Sequence, residues 1–128
     1  MQNLSAEQVL FIHARVIEET GGTHGVRDLN MLLSALGRPV ATFDDEDLIP
    51  DIFSKAAALL DALIRNHPFL DGNKRTGIVA ASLFLQQNGY RLTVKNEELV
   101  SIGLGVAQSK LSLDELTSWL KSNTQPLE

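Results

Sequence analysis

The chain has 128 residues, no cysteine and a formal charge of −5. These values suit one soluble domain, 1–128, and exclude disulfides, thiolate catalysis and zinc–thiolate sites. The charge argues against nucleic acid as a partner, since counterion release needs clustered Lys and Arg. Apolar residues at 44% and charged residues at 21% are the balance of a globular protein. No apolar run approaches the roughly 18 residues of a membrane span, and the N-terminus has no secretory pattern, so a cytoplasmic location is expected.

In chain order, Ser5-Ala-Glu-Gln8 is a capping box. Val9, Leu10, Ile12, Val16 and Ile17 follow it at helical spacing, and Gly21-Gly22 stops that helix. Asp28 caps a short second helix with Leu29, Leu32, Leu33 and Leu36 on one face, ended by Gly37 and Pro39. Residues 38–50, with the acidic run Asp44-Asp-Glu-Asp47, have no helical pattern. A loop of that length is either a flap over a site or a solvated connection. Asp51 to Asn66 forms a central helix, with Ala56-Ala-Ala58 permitting close packing. A fourth helix runs from about Asn73 to Gly89, followed by a short extended stretch, Tyr90–Val94. Asn96 caps a fifth helix with Leu99, Val100, Ile102 and Val106 as its apolar set. Ser112-Leu-Asp-Glu115 is a second capping box, leading a helix with Leu116, Trp119 and Leu120. The tail from Ser122 is polar and expected to fray. The fold class is all-α: a compact bundle of about six helices.

Residues 67–77 depart from this ordinary grammar. Pro68 disfavours α geometry at His67, Asp71-Gly72 is a turn signal, and Asn73 is a good N-cap. A tight loop therefore joins two apolar helices. The first turn after it holds Lys74, Arg75 and Thr76. Cations at a helix N-terminus oppose the macrodipole by roughly 0.3–1 kcal/mol each. Their presence makes sense if an anion binds there, with Gly72 allowing close backbone approach. Phosphate suits a guanidinium, an ammonium and a backbone nest together. His67 can take a proton from an attacking hydroxyl, and Asp71 can hold Mg²⁺. His13 and His24 read as structural.

The run His67-Pro-Phe-Leu-Asp-Gly-Asn-Lys-Arg75 resembles the active-site motif of the Fic/Doc superfamily, H-x-F-x-(D/E)-G-N-G-R. Lys74 in place of the second Gly, followed by Arg75-Thr76, is similar to the death-on-curing (Doc) toxin branch. The likeness extends to Leu4-Ser5, Gly21-Gly22, Gly25-Val-Arg-Asp28, Leu33-Ser-Ala-Leu36, Lys55-Ala-Ala-Ala-Leu59 and Asn88-Gly89, roughly residues 3–120. It implies a helical bundle with the motif loop between two central helices. It also implies His67 as general base, Asp71 as Mg²⁺ ligand, Gly72, Asn73, Lys74, Arg75 and Thr76 as the nucleotide-binding set, with Asn73, Lys74 and Arg75 on the ATP phosphates, and residues near 40–48 as the flap.

Fic enzymes mostly transfer AMP from ATP to a protein hydroxyl, whereas Doc enzymes transfer the γ-phosphate. A Gly at position 74 would leave room for a second phosphate. Lys74 occupies that space and favours the kinase reading, with elongation factor Tu as the implied target. The alternatives are a Fic-type AMP transferase and a non-catalytic nucleotide-binding module. The inhibitory pattern (S/T)-x-x-x-E-(G/N) of many Fic proteins is not matched: Thr42 to Asp47 and Thr93 to Glu98 fail at the sixth residue. Restraint by a separate, Phd-like antitoxin is the corresponding expectation.

Overall fold

A computed structural model describes residues 1–127. Helix α1, Ala6–Thr20, begins where expected: the Gln8 amide donates to the Ser5 hydroxyl at 3.2 Å, and the Ser5 amide to the Gln8 side chain at 2.8 Å. Val9, Ile12, His13, Val16 and Ile17 face inward. Asp28 caps α2, Leu29–Gly37, by accepting from the Met31 amide. Its leucine stripe is narrower than expected. Leu32, Ala35 and Leu36 are buried, whereas Leu29 and Leu33 are about half exposed, at 51% and 49%. A nine-residue helix at the margin, resting on α1 and the third helix, has room to bury only one edge.

The segment without helical pattern holds a small hairpin, β1 Thr42–Phe43 paired antiparallel with β2 Glu46–Asp47. Asp44 and Asp45 form its turn at φ 55° and 65°, the paired left-handed angles of a type I′ turn. Lys55 anchors the hairpin from below. It is 3% exposed, and its Nζ donates to the Pro39 carbonyl at 2.7 Å and to Asp47 Oδ2 at 3.2 Å.

Helix α3, Ile52–Arg65, is the centre of the fold, with every residue from Lys55 to Leu60 and from Ala62 to Ile64 buried. It packs against α4, Asn73–Gln87, with small residues at the crossing. A Cβ on Gly77 would lie 3.1 Å from Ile64 Cγ1 and 3.3 Å from Leu60 Cδ1. The two helices therefore approach closely, which fixes both ends of the loop between them.

Asp51 caps α3, taking the Ser54 amide at 2.9 Å and the Ser54 hydroxyl at 2.7 Å. Partial burial disfavours its charge, but the bonds from Ser54 and the Phe53 amide outweigh that and hold its pKa below 3.8. A depressed folded-state pKa contributes stability above the unfolded value that is lost as pH falls through the folded one. Asp51→Asn keeps an acceptor but does not titrate. Its deficit in Tm against the parent should be constant near neutrality and shrink below pH 3.8, as thermal melts at stepped pH would show.

After α4 the chain forms β3, Tyr90–Leu92, which pairs antiparallel with β4, Thr124–Pro126. The expected frayed tail is thus a strand. Backbone pairing needs no apolar side chains, so a polar sequence gives no sign of it. The Leu127 amide extends the pairing to the Gly89 carbonyl at 2.8 Å. At the same place the Gln2 amide donates to Asn88 Oδ1 at 2.7 Å, and Asn88 Nδ2 returns a bond to the Gln2 carbonyl at 2.8 Å.

Helix α5, Asn96–Ala107, starts after Lys95 rather than after an Asn96 cap, and has no side-chain cap bond. It buries Gly103 and Val106, while Val100 is 53% exposed. Helix α6, Leu113–Ser122, is capped by Ser112 and Glu115 and seats Leu116 and Leu120 in the core. Six helices, one short hairpin and one two-stranded pairing of distant segments are thus the regular elements of the described residues, an all-α core with small β additions. Among those residues no helix is long and apolar enough to cross a membrane.

Candidate active site

The loop joining α3 to α4 is built from backbone restraints upward. Helix α3 closes at Asn66, φ −72°, and His67 follows at φ +46°. Helices often end in a left-handed residue, but that residue is usually Gly. A non-Gly residue held there costs on the order of 1–3 kcal/mol and persists where its surroundings fix it.

Those surroundings are substantial. Phe69 is 1% exposed, and the His13 ring stacks on it at 3.8 Å and 5°. The residue 25–28 segment runs antiparallel to the loop, with Val26 bridged to Phe69 and the Leu70 amide donating to the Gly25 carbonyl at 3.1 Å. The Asn73 side chain closes the loop: it accepts from the Phe69 amide and donates to the Phe69 carbonyl, both at 3.0 Å.

Asn73 was the expected N-cap of α4. The cap is instead Gly72, at φ +76°, because the Asn73 amide turns back to Phe69. Gly72 has no side chain to accept the free N–H groups. The first bonded amide is that of Thr76, to the Gly72 carbonyl at 2.9 Å, which leaves the amides of Asn73, Lys74 and Arg75 without helical acceptors. The first turn has no acidic residue, and Lys74 and Arg75 are exposed beside it. The start of α4 thus presents donors and cations with no acceptor among them, an arrangement that an anion would complement.

A cleft of about 790 Å³ opens over it. Asp71, Gly72, Asn73, Lys74 and Arg75 form one end, and Val16, Thr20, Ile78, Leu99 and Leu104 are among the residues of its walls. His67 is exposed and does not line it. Thr76, expected to touch a nucleotide, is 0% exposed and also does not line the cleft. It belongs to the packing under the loop, since the fourth position of α4 points at the core.

The sequence profile of the Fic/DOC family matches residues 3–85, the part of the chain that carries α1 to α4 and this loop. The chain belongs to the Fic/Doc family. Over 72 residues it is 50% identical to "Toxin Doc" of Mycolicibacterium smegmatis, spanning 56% of this chain and 55% of that protein. It thus matches about half the length of that toxin. Over 121 residues it is 32% identical to "Protein kinase doc" of Escherichia phage P1, covering 94% of each chain.

In this Fic/Doc chain the motif carboxylate is presented by contacts that sequence reasoning did not find. Asp71 Oδ1 accepts from the Gly72 amide at 2.9 Å, and Oδ2 from the Thr23 amide at 3.1 Å. A Cβ on Gly22 would lie 2.6 Å from that Oδ2, at φ +118°, so Gly22 admits the carboxylate as well as ending α1. His13 fixes the same residue through its main chain. Its Nε2 lies 2.8 Å from the Asp71 carbonyl, which can only accept, so Nε2 carries the hydrogen. His13 shows no sign in the sequence beyond its place on the inward face of α1.

Mg²⁺ typically takes one or two carboxylates and completes its shell with phosphate oxygens and water. The exposed Asp71 carboxylate, with lone pairs remaining beyond its two amide bonds, fits that donor chemistry.

Proposed function

We propose that this protein is a Doc-type toxin that transfers the γ-phosphate of ATP to a hydroxyl side chain of a target protein. The observation that carries this is the uncapped first turn of α4, with three free amides, Lys74 and Arg75 at the end of a cleft, and Asp71 beside them. An ordinary helix start has an acceptor there; this one has only donors. The name and full-length similarity of the phage kinase support the choice of reaction.

In the proposed step the target hydroxyl oxygen attacks the γ-phosphorus. Its proton passes to the His67 imidazole, the bond from phosphorus to the β,γ-bridging oxygen breaks, and ADP leaves. The amides of Asn73 to Arg75 and the two cations hold the phosphates. Asp71 would hold Mg²⁺, which neutralises phosphate charge and orients it. Asn73 acts through its main chain, since its side chain is committed to Phe69. His67 lies outside the cleft, so the protein substrate reaches it from the solvent side; the β1–β2 hairpin is the flap that the family likeness implies. Lys74 supports γ- over α-transfer: its Cβ lies 3.9 Å from where a Cβ on Gly103 would stand, so its stem fills space beside α5. Elongation factor Tu is the target we propose, and a Phd-like antitoxin the restraining partner.

The test is incubation with Mg²⁺, elongation factor Tu and ATP labelled at either the α- or the γ-phosphate. Transfer of γ-label alone, as expected, supports the kinase. Transfer of α-label would make the protein an AMP transferase and remove the argument from Lys74.

A further inference from the structure

We propose that Arg27 is the positioning residue that sets the main-chain angle at His67, and so the direction of the His67 imidazole. The inference rests on His67 as the proton acceptor proposed above. Arg27 Nε donates to the His67 carbonyl at 2.6 Å, and Nη2 to the Asn66 carbonyl at 2.7 Å. Both carbonyls are at the end of α3, where they lack helical donors and where a cation complements the dipole. The Pro68 carbonyl accepts from the amides of Arg27 and Asp28, at 2.8 and 3.1 Å. Three successive carbonyls, 66 to 68, are thus held from two successive residues.

The place of Arg27 is itself fixed on both sides. Val26 is bridged to Phe69, and Asp28 caps α2. The pairing therefore spans the left-handed turn at His67, φ +46°, from a rigid neighbour. A guanidinium meets two carbonyls with a planar fork; an ammonium on a flexible stem meets them as a point charge. The His67 side chain is exposed, so its direction is set by the main chain below it rather than by packing around it.

The competing reading is a plain cap that stabilises α3. Arg27→Ala and Arg27→Lys separate the two. We expect kcat to fall about 10- to 100-fold in both, as misplacement of a reacting group by about an ångström does. KM for ATP should hold, and methylguanidine below denaturing concentration should restore Arg27→Ala. The second readout does not need activity: imidazole resonances of the ¹³C-labelled protein, assigned with His67→Ala. In Arg27→Ala the His67 resonance should move and return with methylguanidine, while that of His13, under Phe69, stays. An unmoved His67 resonance, or equal movement at His13, overturns the proposal, because Arg27 would then be a general support of the loop. If the parent protein transfers nothing to any target, the catalytic reading fails, and the resonances alone decide the role of Arg27.

Discussion

Replacing His67 with alanine should lower γ-phosphate transfer by about 10²- to 10⁴-fold, the usual contribution of a positioned general base. That corresponds to roughly 3–5 kcal/mol of transition-state stabilisation. The fold should be nearly unaffected, for three reasons. The imidazole is exposed, so little packing is lost. The bond that Arg27 makes at this residue goes to the main-chain carbonyl, which alanine retains. Both residues carry a Cβ at φ +46°, so the exchange adds little backbone strain to what His67 already bears. ATP binding, which the proposed mechanism assigns to Lys74, Arg75 and the free amides of α4, should persist. A variant that still transfers at the parent rate would remove His67 from the mechanism. One that loses nucleotide binding as well would mean that His67 contacts the phosphates directly. Equilibrium nucleotide titration beside the transfer assay distinguishes these results.

The largest effect on stability is expected at Phe69. Phe69→Ala should cost about 3–5 kcal/mol in chemical denaturation, the range for a fully buried Phe. The ring is 1% exposed and stacked on His13. Truncating it leaves the His13 face without a partner and a void under the motif loop. The Phe69 main chain stays tied to Asn73, so the loop should loosen rather than detach. Activity should therefore fall more than the unfolded fraction explains, even well below the melting temperature. A cost below about 1 kcal/mol would show that the loop collapses onto the space at little expense.

What the sequence disclosed about this molecule follows from what is local in it. Caps at Ser5, Asp28 and Ser112 were readable because cap and capped amide lie within three residues. The donor-only start of α4 was readable as an anomaly, cations where a helix start prefers acids. The cap of α4 was misplaced by one residue, since Asn73 satisfies a rule for caps but is used by Phe69, four residues earlier. Thr23 and Arg27 were assigned no role, and His13 only a structural one, because they reach the loop across 40 or more residues. Two-residue strands such as β1 and β2 are too short for alternation to register. β4 pairs through main-chain groups that every residue carries.

The bonds that gather Gln2, Asn88, Gly89 and Leu127 place residues 2 and 127 at one end of α4, and the motif loop is at the other. Fifteen residues of α-helix separate the two, about 22 Å at 1.5 Å per residue. A tag, a fluorophore or a fused domain added beside residue 2 or 127 would sit about the length of α4 from the motif loop, on the side where Gln86 closes the far wall of the cleft. Residues 2 and 127 lie close enough to be bridged by a short peptide, a layout that suits the molecule to tethering with the motif loop at the far end of α4.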